Sequence, residues 1–123
     1  MTRGPGKYFS CGLDAAVAVV GGKWKPMILW ALNDGGVVRF GELRRQIEGV
    51  SEKVLIQQLR ELEADCVVER EVYREVPPRV EYSLTELGHA LNTALVPLGR
   101  WGDTHMDVIV ANKEKVAAQA ASH

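Results

Sequence analysis

The spacing of apolar residues changes at about residue 66, from the period of a helix to the alternation of a strand. Before that point Leu55, Leu59 and Leu62 lie on one side of a helix, since an α-helix turns by about 100° per residue. After it, 67–84 alternates in part between valine and charged residues, with Pro77-Pro78 in the middle. Because proline is excluded from the interior of a sheet, this pattern predicts a β-hairpin with a proline tip. Few small folds contain a helix that leads directly into a hairpin.

Three shorter helices are predicted ahead of this one. The first is apolar and ends at Gly21-Gly22, the second spans about 23–33, and the third spans about 39–47. A three-residue turn with a glycine, 48–50, separates the third helix from the next. Ser51 is a favourable N-cap, so the fourth helix is expected to begin there and to end at about residue 64.

A long helix capped by Thr85 ends the predicted order, and its apolar stripe exceeds what a small domain needs for its own core. The stripe consists of Leu87, Leu91, Leu95, Leu98 and Trp101. The 123 residues fit one domain. We therefore predict a flexible arm over 1–10, one domain over 11–110 and a frayed tail over 111–123.

This order of elements predicts a mainly α fold with a small β-hairpin, the winged helix-turn-helix, with the long last helix in a dimer interface. In that fold the helix from Ser51 is the recognition helix. Lys53, Gln57 and Arg60 lie opposite its leucine stripe; Lys and Arg can address guanine or phosphate, and Gln can pair with adenine. Ser51 can reach a phosphate at the positive end of the helix dipole. A merely solvated helix face carries the same residue types, but the turn before it and the hairpin after it favour DNA.

Arginines outside the recognition helix are further candidates for contact with DNA. Arg79 follows the prolines of the wing, where a guanidinium suits the minor groove or the flanking phosphates. Arg70 and Arg74 are weaker candidates, because glutamates alternate with them along the hairpin. Three phosphate candidates belong to the third helix, which crosses the DNA backbone in such folds: Arg39, Arg44 and Arg45.

Composition excludes several classes and leaves one alternative open. The sequence has no glycine-rich phosphate loop, nucleophile elbow or zinc motif, so we expect no enzyme, no cofactor and no metal site. Two cysteines, the lack of a signal-peptide pattern and the lack of a membrane-spanning stretch predict a cytoplasmic protein without a membrane partner. The net charge of -1 provides no global basic field. A winged-helix protein-interaction module that does not bind DNA is therefore the alternative.

The residues resemble the HxlR family of bacterial winged-helix transcriptional regulators, from about Cys11 to Trp101. The matching stretches are Cys11, Gly21-Gly22-Lys23-Trp24, Arg39-Phe40-Gly41-Glu42-Leu43, Leu55 with Gln57-Gln58-Leu59-Arg60-Glu61-Leu62, and Pro77-Pro78-Arg79-Val80-Glu81-Tyr82-Ser83-Leu84-Thr85 with Gly88. The resemblance implies a repressor or activator that binds DNA as a homodimer built from the first and last helices. Such a dimer binds an inverted repeat with half-sites about 34–36 Å apart.

Cys11 and two departures from the family pattern raise further expectations. Relatives with a cysteine at the position of Cys11 sense small oxidants or electrophiles, so the resemblance implies a redox switch; a small packed residue is the other interpretation. Family members typically have glycine where this chain has Cys66, which we expect to be a buried turn residue under some strain. Ile56 stands where a small polar residue is usual, and it could meet a thymine methyl group or pack beside the wing.

Overall fold

A computed structural model describes residues 8–122, which form six helices and one three-stranded antiparallel sheet. The helices are α1 (Gly12–Val20), α2 (Trp24–Gly35), α3 (Phe40–Gln46), α4 (Glu52–Ala64), α5 (Glu86–Thr104) and α6 (Met106–Ala121), and the strands are β1 (Val37–Arg39), β2 (Val68–Tyr73) and β3 (Arg79–Leu84). The predicted winged helix-turn-helix order is confirmed. Residues 1–7 of the predicted arm lie outside the described residues.

The leucine stripe of α4 forms the centre of the core. Leu55, Leu59 and Leu62 are at most 1% exposed, as their helical spacing predicts. They are joined by the fully buried Ile28 and Leu32 of α2, which packs against α3, α4 and β3. Burying side chains of this size stabilises the fold by about 1.5–3 kcal/mol each. This core fixes the orientation of α4 and leaves its opposite face in water.

β1 is the strand that the sequence did not predict, and it corrects the start of the third helix. Val37 pairs with Ser83 and Arg39 with Glu81, so that β3 lies between β1 and β2. Arg39, expected inside the helix, has extended backbone (φ -73°, ψ 151°) and stands as the N-cap of α3. A strand of three residues shows too little alternation to be recognised, and its partner is distant in sequence.

The junction between α4 and the sheet is closed by the first turn of α5. The Thr85 hydroxyl accepts the N–H of Gly88 at 3.0 Å and donates to the carbonyl of Cys66 at 2.7 Å. Gly88 lies so close to the carbonyl of Val67 that an added Cβ would stand 2.0 Å from its oxygen. A residue without a side chain is therefore required at this point of α5.

Cys66 has a positive φ of 61°, the left-handed conformation for which glycine is the least costly residue. This confirms that the position requires the backbone geometry expected from the family pattern. The prediction of a buried thiol is wrong, because the Cys66 side chain is exposed. The neighbouring Val67 takes the core position instead and is 1% exposed.

The described chain divides into two compact units, of which the first ends at Thr93 and the second begins at Ala94; the predicted domain over 11–110 includes the boundary between them. In the second unit α6 continues to Ala121, so the residues predicted to form a frayed tail are helical as far as Ala121. Alanine, the strongest helix former, recurs throughout its last turns. Among the described residues no single helix has the length and hydropathy to cross a membrane; α1 and α2 together meet the criterion by length and composition, as a pair bent by 79°.

Candidate nucleic-acid interface

The N-terminus of α4 is built by Ser51, as predicted. Its backbone is extended (φ -77°, ψ 156°), and its Oγ accepts the N–H of Val54 at 3.2 Å. The cap uses a lone pair of the hydroxyl, so the hydroxyl proton can still be donated to an anion. The N–H groups of the first turn and the helix dipole give this end of α4 a partial positive charge.

The face of α4 that points away from the core presents Lys53, Gln57 and Arg60, all exposed. These side chains line an open depression of about 820 Å³ together with Ile56 and two carboxylates. Neither Lys53 nor Arg60 forms an ion pair with another residue in 8–122, although glutamates are close along the helix. Both cations are therefore available to an external polyanion.

The basic residues of α3 are already paired. Arg44 lies 3.4 Å from a carboxylate oxygen of Glu52, and both side chains are about half exposed. Arg45 pairs with Glu42, and this hydrogen-bonded guanidinium lowers the pKa of the Glu42 carboxyl below its usual value. Exposed pairs of this kind contribute only about 0–1 kcal/mol, so that a phosphate can displace the carboxylate. Arg39, at the start of α3, is exposed and has no ion pair with any residue that the structure describes.

Arg79, expected to contact DNA, lies within a cluster of side chains that belongs to the wing itself. Its guanidinium is 4.0 Å from the centre of the Tyr73 ring, 3.3 Å from a Glu75 oxygen and 3.5 Å from a Glu81 oxygen. The Arg79 side chain is 26% exposed. Burial and the neighbouring carboxylates, among them Glu71, raise the pKa of Tyr73. We call Tyr73, Glu75, Arg79 and Glu81 the wing cluster.

The two other arginines of the wing differ in their surroundings. Arg70 lies 3.3 Å from a carboxylate oxygen of Glu63 and so connects β2 to the end of α4. Arg74 follows β2, is exposed and forms no ion pair with residues 8–122. The sequence could not separate these two arginines, because both stand among glutamates.

Ile56 lies where the recognition helix meets the wing. It is half-buried and lines both the depression on the exposed face and a cleft of about 380 Å³ that also contains Phe40, Val80 and Tyr82. The Phe40 and Tyr82 rings are 6.5 Å apart, and burial raises the pKa of the Tyr82 hydroxyl. Of the two roles expected for Ile56, packing beside the wing is the one that the structure displays.

Lys25 is a residue that the sequence reasoning missed. It lies on α2, its side chain is only 8% exposed, and its Nζ is 3.4 Å from a carboxylate oxygen of Glu61 on α4. Gln58 also donates to Glu61, at 3.3 Å. A lysine amid the apolar residues of α2 was the available signal, but its partner is 36 residues away. The pair links the recognition helix to the helix behind it.

Cys11 stands at the N-cap of α1 and is half-buried. Its carbonyl accepts the N–H of Ala15 at 3.1 Å, while the N–H of Ser10 donates to a carboxylate oxygen of Asp14 at 3.0 Å. The thiol itself caps nothing in the helix. Within 8–122, no three residues of the His, Cys, Asp and Glu types converge into a metal site.

These features define a DNA-binding winged helix-turn-helix protein. The chain matches the model of the HxlR-like helix-turn-helix over residues 19–110, and it belongs to the HxlR family. The HTH-type transcriptional regulator YkvN of Bacillus subtilis is 46% identical over 108 residues, which cover 88% of this chain and 91% of YkvN. The protein is thus a transcriptional regulator, and its relatives are regulators rather than enzymes.

Solved structures show the same fold. The redox regulator HypR in its reduced form has a TM-score of 0.75 and 43% identity, covering 80% of this chain and 97% of HypR. The oxidised form of HypR has a TM-score of 0.71 and 45% identity, covering 76% of this chain and 96% of HypR. The diamide-treated regulator YodB from B. subtilis has a TM-score of 0.65 and 37% identity, covering 76% of this chain and 93% of YodB.

Proposed function

We propose that the protein binds an inverted-repeat operator in the cytoplasm as a homodimer, with α4 of each protomer in the major groove. Lys53, Gln57 and Arg60 contact base edges or nearby phosphates, and Ser51 donates to a phosphate at the helix N-terminus. Further phosphate contacts come from the exposed arginines of the preceding segment, Arg39, Arg44 and Arg45. The wing, which carries Arg79, follows the adjacent backbone.

One observation carries this proposal: the exposed face of α4 has cations without carboxylate partners among the described residues. The chain as a whole has a net charge of -1, so nonspecific attraction to a polyanion is weak. A local cationic face on a helix whose N-terminus carries a partial positive charge provides the attraction where major-groove contacts are made. The position of that face between a helix-turn-helix and a wing supports DNA as the ligand over a protein partner.

The dimer is supported by apolar surface on the first and last helices. None of the α1 residues is buried, although the helix is apolar; Leu13 is 71% exposed and Val17 54%. In the second unit, Leu98 and Trp101 of α5 and Val108 of α6 are each more than half exposed. Apolar surface on separate helices of a small chain is typical of an interface between protomers.

A mobility-shift experiment on the DNA upstream of the protein's own gene tests the proposal. We expect a discrete complex that resists competitor DNA and weakens steeply as salt rises, because phosphate contacts release counterions. Footprinting is expected to protect two half-sites about one helical turn apart. If the protein instead shows only weak binding of equal strength to every duplex, the proposal of a sequence-specific regulator is wrong.

We further propose that Cys11 makes DNA binding sensitive to oxidants. The similarity to HypR, solved in reduced and oxidised forms, supports this role, and so does a thiol at a helix N-terminus, a position that favours reactivity. Diamide takes two electrons and two protons from a pair of thiols, which become a disulfide. The second thiol would come from the other protomer or from Cys66.

Diamide is therefore expected to change the affinity of the wild-type protein for its operator by about tenfold or more, while leaving Cys11→Ser unaffected. Affinity is measured before and after treatment, and again after reduction with a dithiol, which should restore the original value. Cys66→Ser, which also removes one thiol, identifies the partner of Cys11: it responds to diamide as the wild-type protein does if the second thiol belongs to the other protomer, and it loses the response if the second thiol is Cys66. An equal response of Cys11→Ser and the wild-type protein would exclude Cys11 as the sensor.

A further inference from the structure

We propose that Arg74 makes the wing's contact with a DNA phosphate, and that Arg79 is a positioning residue that holds the wing tip in shape. This assignment rests on the proposed function, since it requires the wing to lie beside the duplex. The sequence favours Arg79 over Arg74 as the residue of the wing that contacts DNA; here the contact belongs to Arg74 and the support of the tip to Arg79.

Arg79 lies at the turn end of the hairpin and contacts both of its strands. β2 ends at Tyr73 and β3 begins at Arg79, and these two residues are directly opposite each other in the antiparallel register. The guanidinium lies over the ring of Tyr73 and holds Glu75, which belongs to the tip, and Glu81, which belongs to β3. One side chain thus connects both strands with the turn between them.

The surroundings of Arg79 make it a poor donor to an external phosphate. Its Nε is buried, and the ion pair with Glu81, at 3.5 Å, is not a hydrogen bond. Turning outward would break the stacking on Tyr73 and leave the carboxylates of Glu75 and Glu81 without a cation, facing the DNA. Two carboxylates and one guanidinium also leave the wing cluster with a net negative charge.

Arg74 has the properties that Arg79 lacks. It stands between Tyr73 and Glu75, so the wing cluster flanks it on both sides and sets the direction of the backbone at this point. Its own side chain is exposed, without an ion pair in the described part of the chain. Because Arg74 is a cation at the wing tip that does not belong to the wing cluster, it is suited to bind a phosphate.

The test compares Arg74→Ala, Arg79→Lys and the double variant, with affinity for an upstream duplex bound by the wild-type protein measured over a range of salt. Arg74→Ala is expected to lower the affinity about tenfold and the slope of log K against log salt by about 0.9, the value for one phosphate contact. Arg79→Lys keeps the charge but loses the planar guanidinium, which lies over the Tyr73 ring and pairs with carboxylates on two sides. It is expected to lower affinity and slope as Arg74→Ala does, because the displaced tip no longer presents Arg74.

The double variant distinguishes positioning from contact. If Arg79 acts through Arg74, Arg74→Ala with Arg79→Lys binds as Arg74→Ala alone does, since both changes remove the same contact. If Arg79 binds phosphate itself, Arg79→Lys retains wild-type affinity and slope while Arg74→Ala has no effect, and the proposal is overturned. Losses that multiply in the double variant also overturn it. Failure of the wild-type protein to bind any upstream duplex would instead contradict the proposed function.

Discussion

Replacing Lys53 and Arg60 together with alanine is expected to weaken operator binding by about a hundredfold or more. Each side chain is exposed on α4 without an ion pair among the described residues, so its charge is available to DNA. A good contact to a base contributes about 1–3 kcal/mol of discrimination, and two such contacts account for a loss of this size. Since neither side chain is in the core, the free energy of unfolding should stay within about 0.5 kcal/mol of the wild-type value.

The measurement is fluorescence anisotropy with the operator duplex, accompanied by urea unfolding. The matched control is Lys113→Ala with Lys115→Ala on α6, which removes the same number of positive charges from another exposed helix. The control is expected to change the affinity less than threefold or so, because nonspecific charge contributes little. If both double variants lose affinity equally, α4 does not have the role in DNA binding that we assign to it.

Replacing Gly88 with alanine is expected to destabilise the protein by about 3 kcal/mol or more, the upper range for overpacking. The added Cβ would stand 2.0 Å from the carbonyl oxygen of Val67 and 3.0 Å from its carbon. Backbone atoms cannot move aside as the end of a flexible side chain can. The first turn of α5 would have to shift, which would break the hydrogen bonds of Thr85 to Cys66 and Gly88.

Gly99 provides a control within the same helix. A Cβ there meets nothing within 4 Å, so Gly99→Ala is expected to be neutral or to stabilise by up to about 1 kcal/mol, since alanine favours helix. Urea unfolding of both variants gives the comparison directly. If Gly88→Ala lowers the free energy of unfolding by less than about 1 kcal/mol, α5 has room for a Cβ beside the carbonyl of Val67, and the close contact described here is wrong.

The parts of this protein that were predictable from sequence are those with a local cause. The N-cap at Ser51 and the core face of Leu55, Leu59 and Leu62 depend on residues within four positions of one another, and both are confirmed. The exposed Lys53, Gln57 and Arg60 follow from the same helical geometry. The family resemblance added the requirement for a left-handed residue at position 66, which a period alone does not reveal.

The parts that were not predictable depend on partners remote in sequence or on a choice among several charges. β1 forms because Val37–Arg39 pairs with β3. Lys25 forms an ion pair with Glu61, which belongs to another helix. The alternation of charges along the wing shows that arginines and glutamates are close. It does not show that Arg79 pairs with two of those carboxylates and lies over a tyrosine ring, while Arg74 pairs with no carboxylate within residues 8–122, because pairing depends on strand register and tip geometry.

The pairing of β1 with β3 has a consequence for the DNA as well as for the protein. β1 leads directly into α3, and Phe40, Ile56 and Tyr82 line the cleft between helix and wing, so α4 and the wing are held at one separation. A duplex advances about 3.4 Å with each base pair. We therefore expect that inserting a base pair within a half-site, between the bases that α4 contacts and the phosphates that the wing contacts, abolishes binding to that half-site. The length of the spacer between half-sites is a separate variable, set by how two protomers associate.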